Sequence, residues 1–126
     1  MENKKRSANF LIAKELEWEE LGGGVSRQIM GFDANIMMVK VKFKTGSVGS
    51  PHDHFHSQTT YVVEGTFEFM VGNNKKMVTA GDVIYMEPDV VHGTVCIEEG
   101  MLIDVFSPAR QDFLDGSAVS YFGDKK

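Results

Sequence analysis

Short apolar runs separated by glycine constrain the fold of this chain more than any other feature of its sequence. The 126 residues include 13 glycines and 3 prolines, and the apolar segments between them have the length of strands. Segment 36–43 ends in apolar residues that alternate with lysine, which is typical of a strand with one buried face. A glycine and two asparagines at 72–74 indicate a hairpin turn. The predicted strands are 25–30, 36–43, 59–63, 66–71, 76–79, 83–86, 93–97 and 101–106.

Helix signals are weaker than strand signals. Segment 13–21 predicts either two helical turns or a single turn beside a short strand, and the glycines at 22–24 would end it. A second turn is predicted over 107–114, with Ser107 as its cap and Pro108 at the first helical position. About eight short strands joined by turns predict an all-β fold, an antiparallel sandwich or barrel.

Length, charge and cysteine content narrow the class of protein. We expect one domain over 1–126, with a flexible tail at 1–9 and a core at about 25–106. The net charge of −5 argues against non-specific nucleic-acid binding, which needs a basic surface. No apolar stretch approaches the length of a membrane span or a signal-peptide core, so we expect a cytoplasmic protein. The single cysteine, Cys96, lies in an apolar run and predicts a buried, unreactive thiol.

All four histidines of the chain fall in two short windows. His52, His54 and His56 lie within residues 49–58, and His92 stands alone. Histidine is the commonest metal-ligating side chain, and residues two apart on a strand share a face. An isolated His-x-His pair is usually just polar surface, but this clustering predicts a metal site if the fold brings the two windows together.

The histidine windows resemble the two motifs of the cupin family. The matching patterns are Gly49-x2-His52-x-His54-x3-Gln58-x6-Gly65 and Gly81-Asp82-x5-Pro88-x3-His92. The resemblance implies a small antiparallel jelly-roll barrel that holds one divalent transition metal ion in its mouth. It leaves nickel, zinc, manganese and iron open. The metal ligands that it implies are His52, His54, Gln58 and His92.

This chain departs from the usual cupin motifs at two positions, Gln58 and Asp89. Cupins usually carry glutamate where this chain has Gln58, and a neutral amide cancels none of the metal's charge. Gln58 therefore favours polarisation of an anionic oxygen substrate over iron–oxygen redox chemistry. Asp89 replaces the usual glycine after Pro88, a mild change because aspartate tolerates turn geometry. His56 has no ligand role in the motif and is either a substrate-binding group or a polar residue at the rim.

A narrower resemblance covers nearly the whole chain after residue 16. The chain is similar to the KdgF-type cupins of pectin and alginate breakdown. This similarity implies an enzyme that opens the ring of 4,5-unsaturated monouronates, small anionic sugars, to give linear keto-uronates. Whether the sugar comes from pectin or alginate stays open. The segments that carry the resemblance are 18–22, 37–40, 56–63, 92–96 and 102–114.

Polar and aromatic residues near the end of the last predicted strand suggest the reaction centre. An aspartate inside an apolar strand is costly to bury without a partner, so Asp104 predicts a functional group. Arg110 offers a planar fork that suits a carboxylate. We interpret Asp104 and Arg110 as catalytic, and Arg110, Phe106 and His56 as substrate-binding. Solvent exposure of Asp104 or Arg110, or a purely core role for Phe106, is the alternative.

Other functions remain open at this point. Another metal-dependent cupin enzyme, such as a sugar isomerase or a dioxygenase, is one alternative, although Gln58 weighs against the dioxygenase. A non-catalytic carbohydrate-sensing cupin is another, although Asp104 and Arg110 argue mildly against it. We also expect a homodimer, because a small barrel exposes strands, and we expect no nucleic-acid or membrane partner.

Overall fold

Eight strands make up most of the chain in the computed structural model, which describes residues 6–115. The architecture is all-β, with short helical pieces near both ends of this range. In chain order the elements are a 3₁₀ turn (Ala13–Glu15), β1 (Glu19–Gly22), β2 (Val25–Phe32), β3 (Met37–Phe43), β4 (Val48–His52), β5 (Ser57–Val71), β6 (Asn74–Thr79), β7 (Val83–Met86), β8 (His92–Ser107) and α1 (Gln111–Asp115).

The strands pair antiparallel around the two long strands β5 and β8. The order is β1-β2-β3-β8-β5-β6, with β4 added to β8 and β7 added to β5. One half of β8 pairs with β3 and the other half with β4, while β5 pairs with β7 and then with β6. Each long strand therefore contributes to two layers, and the layers enclose the interior as the predicted jelly-roll barrel requires.

The two long strands each replace two predicted strands. Predictions 59–63 and 66–71 merge into β5, and 93–97 and 101–106 merge into β8, so the predicted breaks were wrong. Gly65 has a φ of 92°, and a Cβ on it would lie 2.6 Å from the Cα of Gly100. The register between β5 and β8 shifts here. The two glycines bend the paired strands where they touch, and neither strand ends.

The barrel interior is apolar away from the histidines. Val39, Val41, Val62 and Phe67 are fully buried between the layers. Cys96 joins them as the prediction required: it is free and buried, and burial raises the pKa of its thiol. The hairpin predicted at 72–74 is confirmed, because Val71 pairs directly with Asn74 between β5 and β6.

The predicted helical turns are only partly correct. Of the two possibilities for 13–21, the structure has the single turn beside a short strand, and Gly23 in the following turn has a φ of 60°. The second helical turn begins at Gln111. Ser107 does not cap it, because Ser107 still belongs to β8 and its hydroxyl donates to the carbonyl of Asn35 at 2.8 Å. The prediction of a helix start at Ser107 and Pro108 was therefore wrong.

Ser7 ties the start of the described range to β2. Of the predicted tail at 1–9, residues 1–5 lie outside the described residues, and Ser7 exchanges two hydrogen bonds with Phe32 at 2.8 and 3.1 Å. No helix within 6–115 is long and apolar enough to cross a membrane.

Candidate metal centre

The ladder between β4 and β8 brings the two histidine windows together. His52 ends β4 and lies directly opposite His92 at the start of β8, with ring centroids 4.5 Å apart. His54 follows in the loop before β5, and its ring centroid lies 4.9 Å from that of His92. The possible ligand atoms of these three histidines all lie within 4.8 Å of one another. We call them the histidine cluster.

Backbone carbonyl groups fix the tautomer of each ring in the histidine cluster. A carbonyl oxygen only accepts hydrogen bonds, so each neutral ring carries its hydrogen on Nδ1 and has its lone pair on Nε2. Burial lowers the pKa of all three, to about 4 for His54 and His92, which keeps the rings neutral at neutral pH. The Nδ1–O distances are 2.8 Å from His52 to Ser50, 3.2 Å from His54 to His56 and 3.0 Å from His92 to Val90.

The Nε2 lone pairs of the histidine cluster therefore face a shared space. The Nε2 atom of His92 is buried and has no hydrogen-bond partner among residues 6–115. The Nε2 atom of His54 lies 3.0 Å from Oε1 of Gln58, so two acceptor atoms face each other with no hydrogen between them. A cation satisfies both atoms at once. The residues thus fit a divalent transition metal, for which three imidazoles and an oxygen are suitable ligands.

Gln58 belongs to a buried hydrogen-bond chain that reaches β8. Its Nε2 donates to the hydroxyl of Thr60 at 3.0 Å, and that hydroxyl donates to Oδ1 of Asp104 at 2.7 Å. Thr60 was missed by sequence reasoning. Its parity with Gln58 was visible in the sequence, but its position directly opposite Asp104 depends on the strand register.

Asp104 is buried beside the histidine cluster. Its side chain is in the interior with only 4% of its surface exposed, so the alternative of a solvent-facing strand residue is excluded. Burial raises its pKa to about 6, while the Thr60 hydroxyl, the charge of Arg110 and a hydrogen bond from Gln58 oppose that rise. A cavity of about 30 Å³, enough for roughly one water molecule, is lined by His52, Gln58, His92 and Asp104 among others.

Arg110 lies just after β8 and is held from two sides. Its Nε and Nη2 donate to the two carboxylate oxygens of Asp112 at 3.0 and 2.8 Å. Its guanidinium lies 4.2 Å from the ring centroid of Phe113 and 5.1 Å from that of Phe106. Arg110 is buried, so it is not a merely solvated surface arginine. Sequence reasoning missed Asp112, whose Arg-x-Asp spacing was the available signal.

Phe106 and His56 lie next to the histidine cluster without joining it. Phe106 is 1% exposed, and its ring meets that of His54 edge-on at 5.8 Å, so it supports the cluster from the core. His56 is buried, stacks on Phe55 at 4.0 Å, and has an Nδ1 without a partner in the described part of the chain. The substrate-binding roles of both residues stay predictions.

Comparison with known families agrees with this architecture. Residues 39–106 match the family model described as Cupin domain. The chain belongs to the cupin family. This cupin is 43% identical over 107 residues to the Pectin degradation protein KdgF of Dickeya dadantii (strain 3937). The aligned region covers 83% of this chain and 97% of that protein.

Two solved structures resemble this cupin over most of its length. An RmlC-like cupin from Shewanella frigidimarina NCIMB 400 has 46% identity and a TM-score of 0.86, with 87% of this chain and 99% of that chain covered. KdgF from Halomonas sp. has 37% identity and a TM-score of 0.82, with 86% of this chain and 100% of that chain covered.

Proposed function

We propose that this cupin opens the ring of 4,5-unsaturated monouronates and releases linear keto-uronates. The observation that carries the proposal is the position of a buried carboxylate, Asp104, and a buried guanidinium, Arg110, beside the histidine cluster. A carbohydrate sensor would need no such acid–base group in its interior. The 43% identity to a protein named for pectin degradation supports the same substrate class.

A divalent transition metal, either nickel, zinc, manganese or iron, would be held by His52, His54, His92 and Gln58. When bound, it would supply a Lewis acid that polarises substrate oxygen atoms. The cavity next to Asp104 holds only a water-sized group. The sugar ring would therefore meet the cluster from the side where His52 and His54 are partly exposed.

Arg110 is the proposed anchor for the substrate carboxylate. Its fork already holds one carboxylate, that of Asp112, in a two-point arrangement, which is the geometry a uronate carboxylate requires. The substrate would share the guanidinium with Asp112 or displace it. The ring of Phe106 lies 5.1 Å from the guanidinium, and His56 is the proposed second contact for the sugar.

Asp104 is the proposed proton-transfer group. Removal of the proton from the anomeric hydroxyl breaks the bond between C1 and the ring oxygen, which leaves an aldehyde at C1. The electron pair of that bond goes to the ring oxygen as an enolate, and protonation at C4 then gives the C5 ketone. The reaction is an isomerisation that consumes and releases no other molecule. Asp104 would perform one or both proton transfers.

The test is incubation of purified, metal-loaded protein with unsaturated galacturonate, followed by NMR. The expected result is a keto-uronate signal that grows faster than in a no-enzyme control, since the substrate also opens slowly unaided. Equal rates would refute the proposal. An oxygen-free sample should react at the same rate, since dependence on oxygen would point to a dioxygenase. Parallel reactions with alginate-derived unsaturated monouronates compare the ring-opening rates for substrates from pectin and from alginate.

We also propose a homodimer with a cytoplasmic location. Tyr61, Val83 and Tyr85 lie on the outer face of β5 and β7, where they expose 46%, 60% and 61% of their surfaces. They form one apolar patch, because Tyr61 pairs with Val83 and Thr59 pairs with Tyr85 across the two strands. Light scattering over a range of concentrations would give twice the chain mass for the wild type and the single mass for Tyr85→Lys. A single mass for the wild type would contradict the dimer, and cell fractionation tests the location.

A further inference from the structure

We propose that Thr60 is a positioning residue that decides which end of the Gln58 side chain faces the histidine cluster. The inference rests on the metal site proposed above, but not on the ring-opening reaction. It concerns the hydrogen-bond chain from Gln58 through Thr60 to Asp104.

The two ends of an amide have nearly the same size, so only their hydrogen-bond partners distinguish them. One end is an oxygen that can bind a cation, and the other carries two hydrogens that repel one. At Gln58 the choice matters, because the end that faces the cluster lies 3.0 Å from Nε2 of His54. Packing alone does not make this choice.

Thr60 makes the choice because its hydroxyl has a single hydrogen. The carboxylate of Asp104 can only accept, and it lies 2.7 Å away, so it takes that hydrogen. The hydroxyl then has only lone pairs for Gln58, which presents its NH₂ group to them, and the carboxylate of Asp104 is a second acceptor for that NH₂ group. The amide oxygen is thereby directed at the histidine cluster, where a metal needs it.

The chain is well placed to hold this orientation. Thr60 is completely buried, so water does not compete for its hydroxyl. Its β-branched side chain has few rotamers, and β5 places it directly opposite Asp104 on β8. A reversed amide would put its oxygen against the lone pairs of Thr60 and its hydrogens against the metal. Both contacts would be unfavourable.

The experiment measures binding of Ni²⁺ alone to metal-stripped full-length protein by calorimetry, without substrate. Thr60→Val keeps the shape but removes the hydroxyl, and it should weaken Ni²⁺ affinity about 10–100-fold, as is typical for groups that orient metal ligands. Thr60→Ser should restore affinity to within a few-fold of the wild type. Thr59→Val, at the neighbouring exposed position of β5, is the matched control and should leave the Ni²⁺ affinity unchanged. Thermal unfolding of the stripped variants verifies that each is folded.

A Gln58→Glu background separates orientation from packing. Both ends of a carboxylate are acceptor oxygens, so the substituted side chain has no end to choose, and Thr60→Val should cost much less affinity there. The visible spectrum of bound Co²⁺ should change with Thr60→Val in the wild-type background and not with Thr60→Ser. Equal losses in both backgrounds, an unchanged affinity in Thr60→Val, or no rescue by serine would overturn the inference.

These outcomes differ from those that bear on the proposed function. A wild-type protein that binds Ni²⁺ but opens no uronate ring would refute the reaction and leave the role of Thr60 intact. A protein that opens the ring, but whose Thr60→Val variant binds Ni²⁺ normally, would refute only the role of Thr60. A wild-type protein that binds no divalent metal would refute both.

Discussion

The paired strands β5 and β8 have polar inward-facing side chains at one level of the ladder and apolar ones at the neighbouring level. At the level next to the histidine cluster, Thr60 faces Asp104. Two residues further along, Val62 faces Leu102, and both are buried. The backbone pairing is the same at both levels, so the site depends on a change of side chains within an unaltered sheet.

The two levels contribute different free energies. Burial of an apolar side chain such as Val62 or Leu102 stabilises the fold by about 1.5–3 kcal/mol each. Burial of a hydroxyl and a carboxylate costs free energy unless both form hydrogen bonds. The hydrogen bonds of Thr60 offset that cost only in part, because the pKa of Asp104 stays raised. The apolar level therefore contributes stability, whereas the polar level carries the groups that the proposed reaction uses.

Removal of a cluster histidine should have the largest effect on activity. We expect His92→Ala to lose the bound metal and to open unsaturated galacturonate no faster than the no-enzyme control, because the buried Nε2 of His92 has no other partner in the described chain. Elemental analysis after dialysis measures the metal. His56→Ala is the matched histidine control and should retain the metal, since His56 lies outside the cluster. Full metal content in His92→Ala would refute the cluster as a ligand set.

Asp104→Asn should slow turnover about 10²–10⁴-fold, the usual contribution of a general acid or base. The metal should stay bound, because Asp104 is not one of the proposed ligands and the three histidines of the cluster remain. The assay follows loss of the ultraviolet absorbance of the 4,5-double bond. Glu98→Gln, which alters an exposed carboxylate on the same strand, should leave the rate unchanged. A near-wild-type rate for Asp104→Asn would remove Asp104 from the reaction.

Leu102→Ala should have the smallest effect on activity and a large effect on stability. We expect the free energy of unfolding to fall by about 2–5 kcal/mol, because a buried leucine leaves a cavity, while Ni²⁺ affinity and turnover change only a few-fold. Urea unfolding measures the first quantity. Ile97→Ala, at an exposed position of β8, should be much less destabilising. A loss of turnover as large as that of Asp104→Asn, in folded protein, would contradict the division between the two levels.

Most strands could be predicted from the sequence, but β4 (Val48–His52) was missed and the continuity of the two long strands could not be predicted. The bounds of β7 were predicted to the residue, because its four residues lie between clear turn signals. Gly65 and Gly100 were interpreted as breaks, although they are contact points at which two long strands bend together. Whether a glycine ends a strand or bends it depends on what lies across the ladder, and this information is not local.

The candidate site shows a similar division. His52, His54 and His92 could be found from their spacing and motif, and the structure brings them together. Thr60 could not, since its significance comes from a partner that the strand register fixes. Asp112 was missed although its spacing from Arg110 was visible in the sequence. Arg110 was found, but no local pattern indicated that its guanidinium lies against the ring of Phe113.

The pairing of His52 with His92 has a consequence for protein engineering. The two residues are direct neighbours across a ladder, and each ring is oriented by the carbonyl group two residues before it in the chain. The carbonyl contacts that orient these two imidazoles therefore lie within two three-residue segments, Ser50–His52 and Val90–His92. We therefore expect that the pair can be transferred, with these two segments, to an antiparallel ladder of an unrelated scaffold as two ligands of a designed metal site.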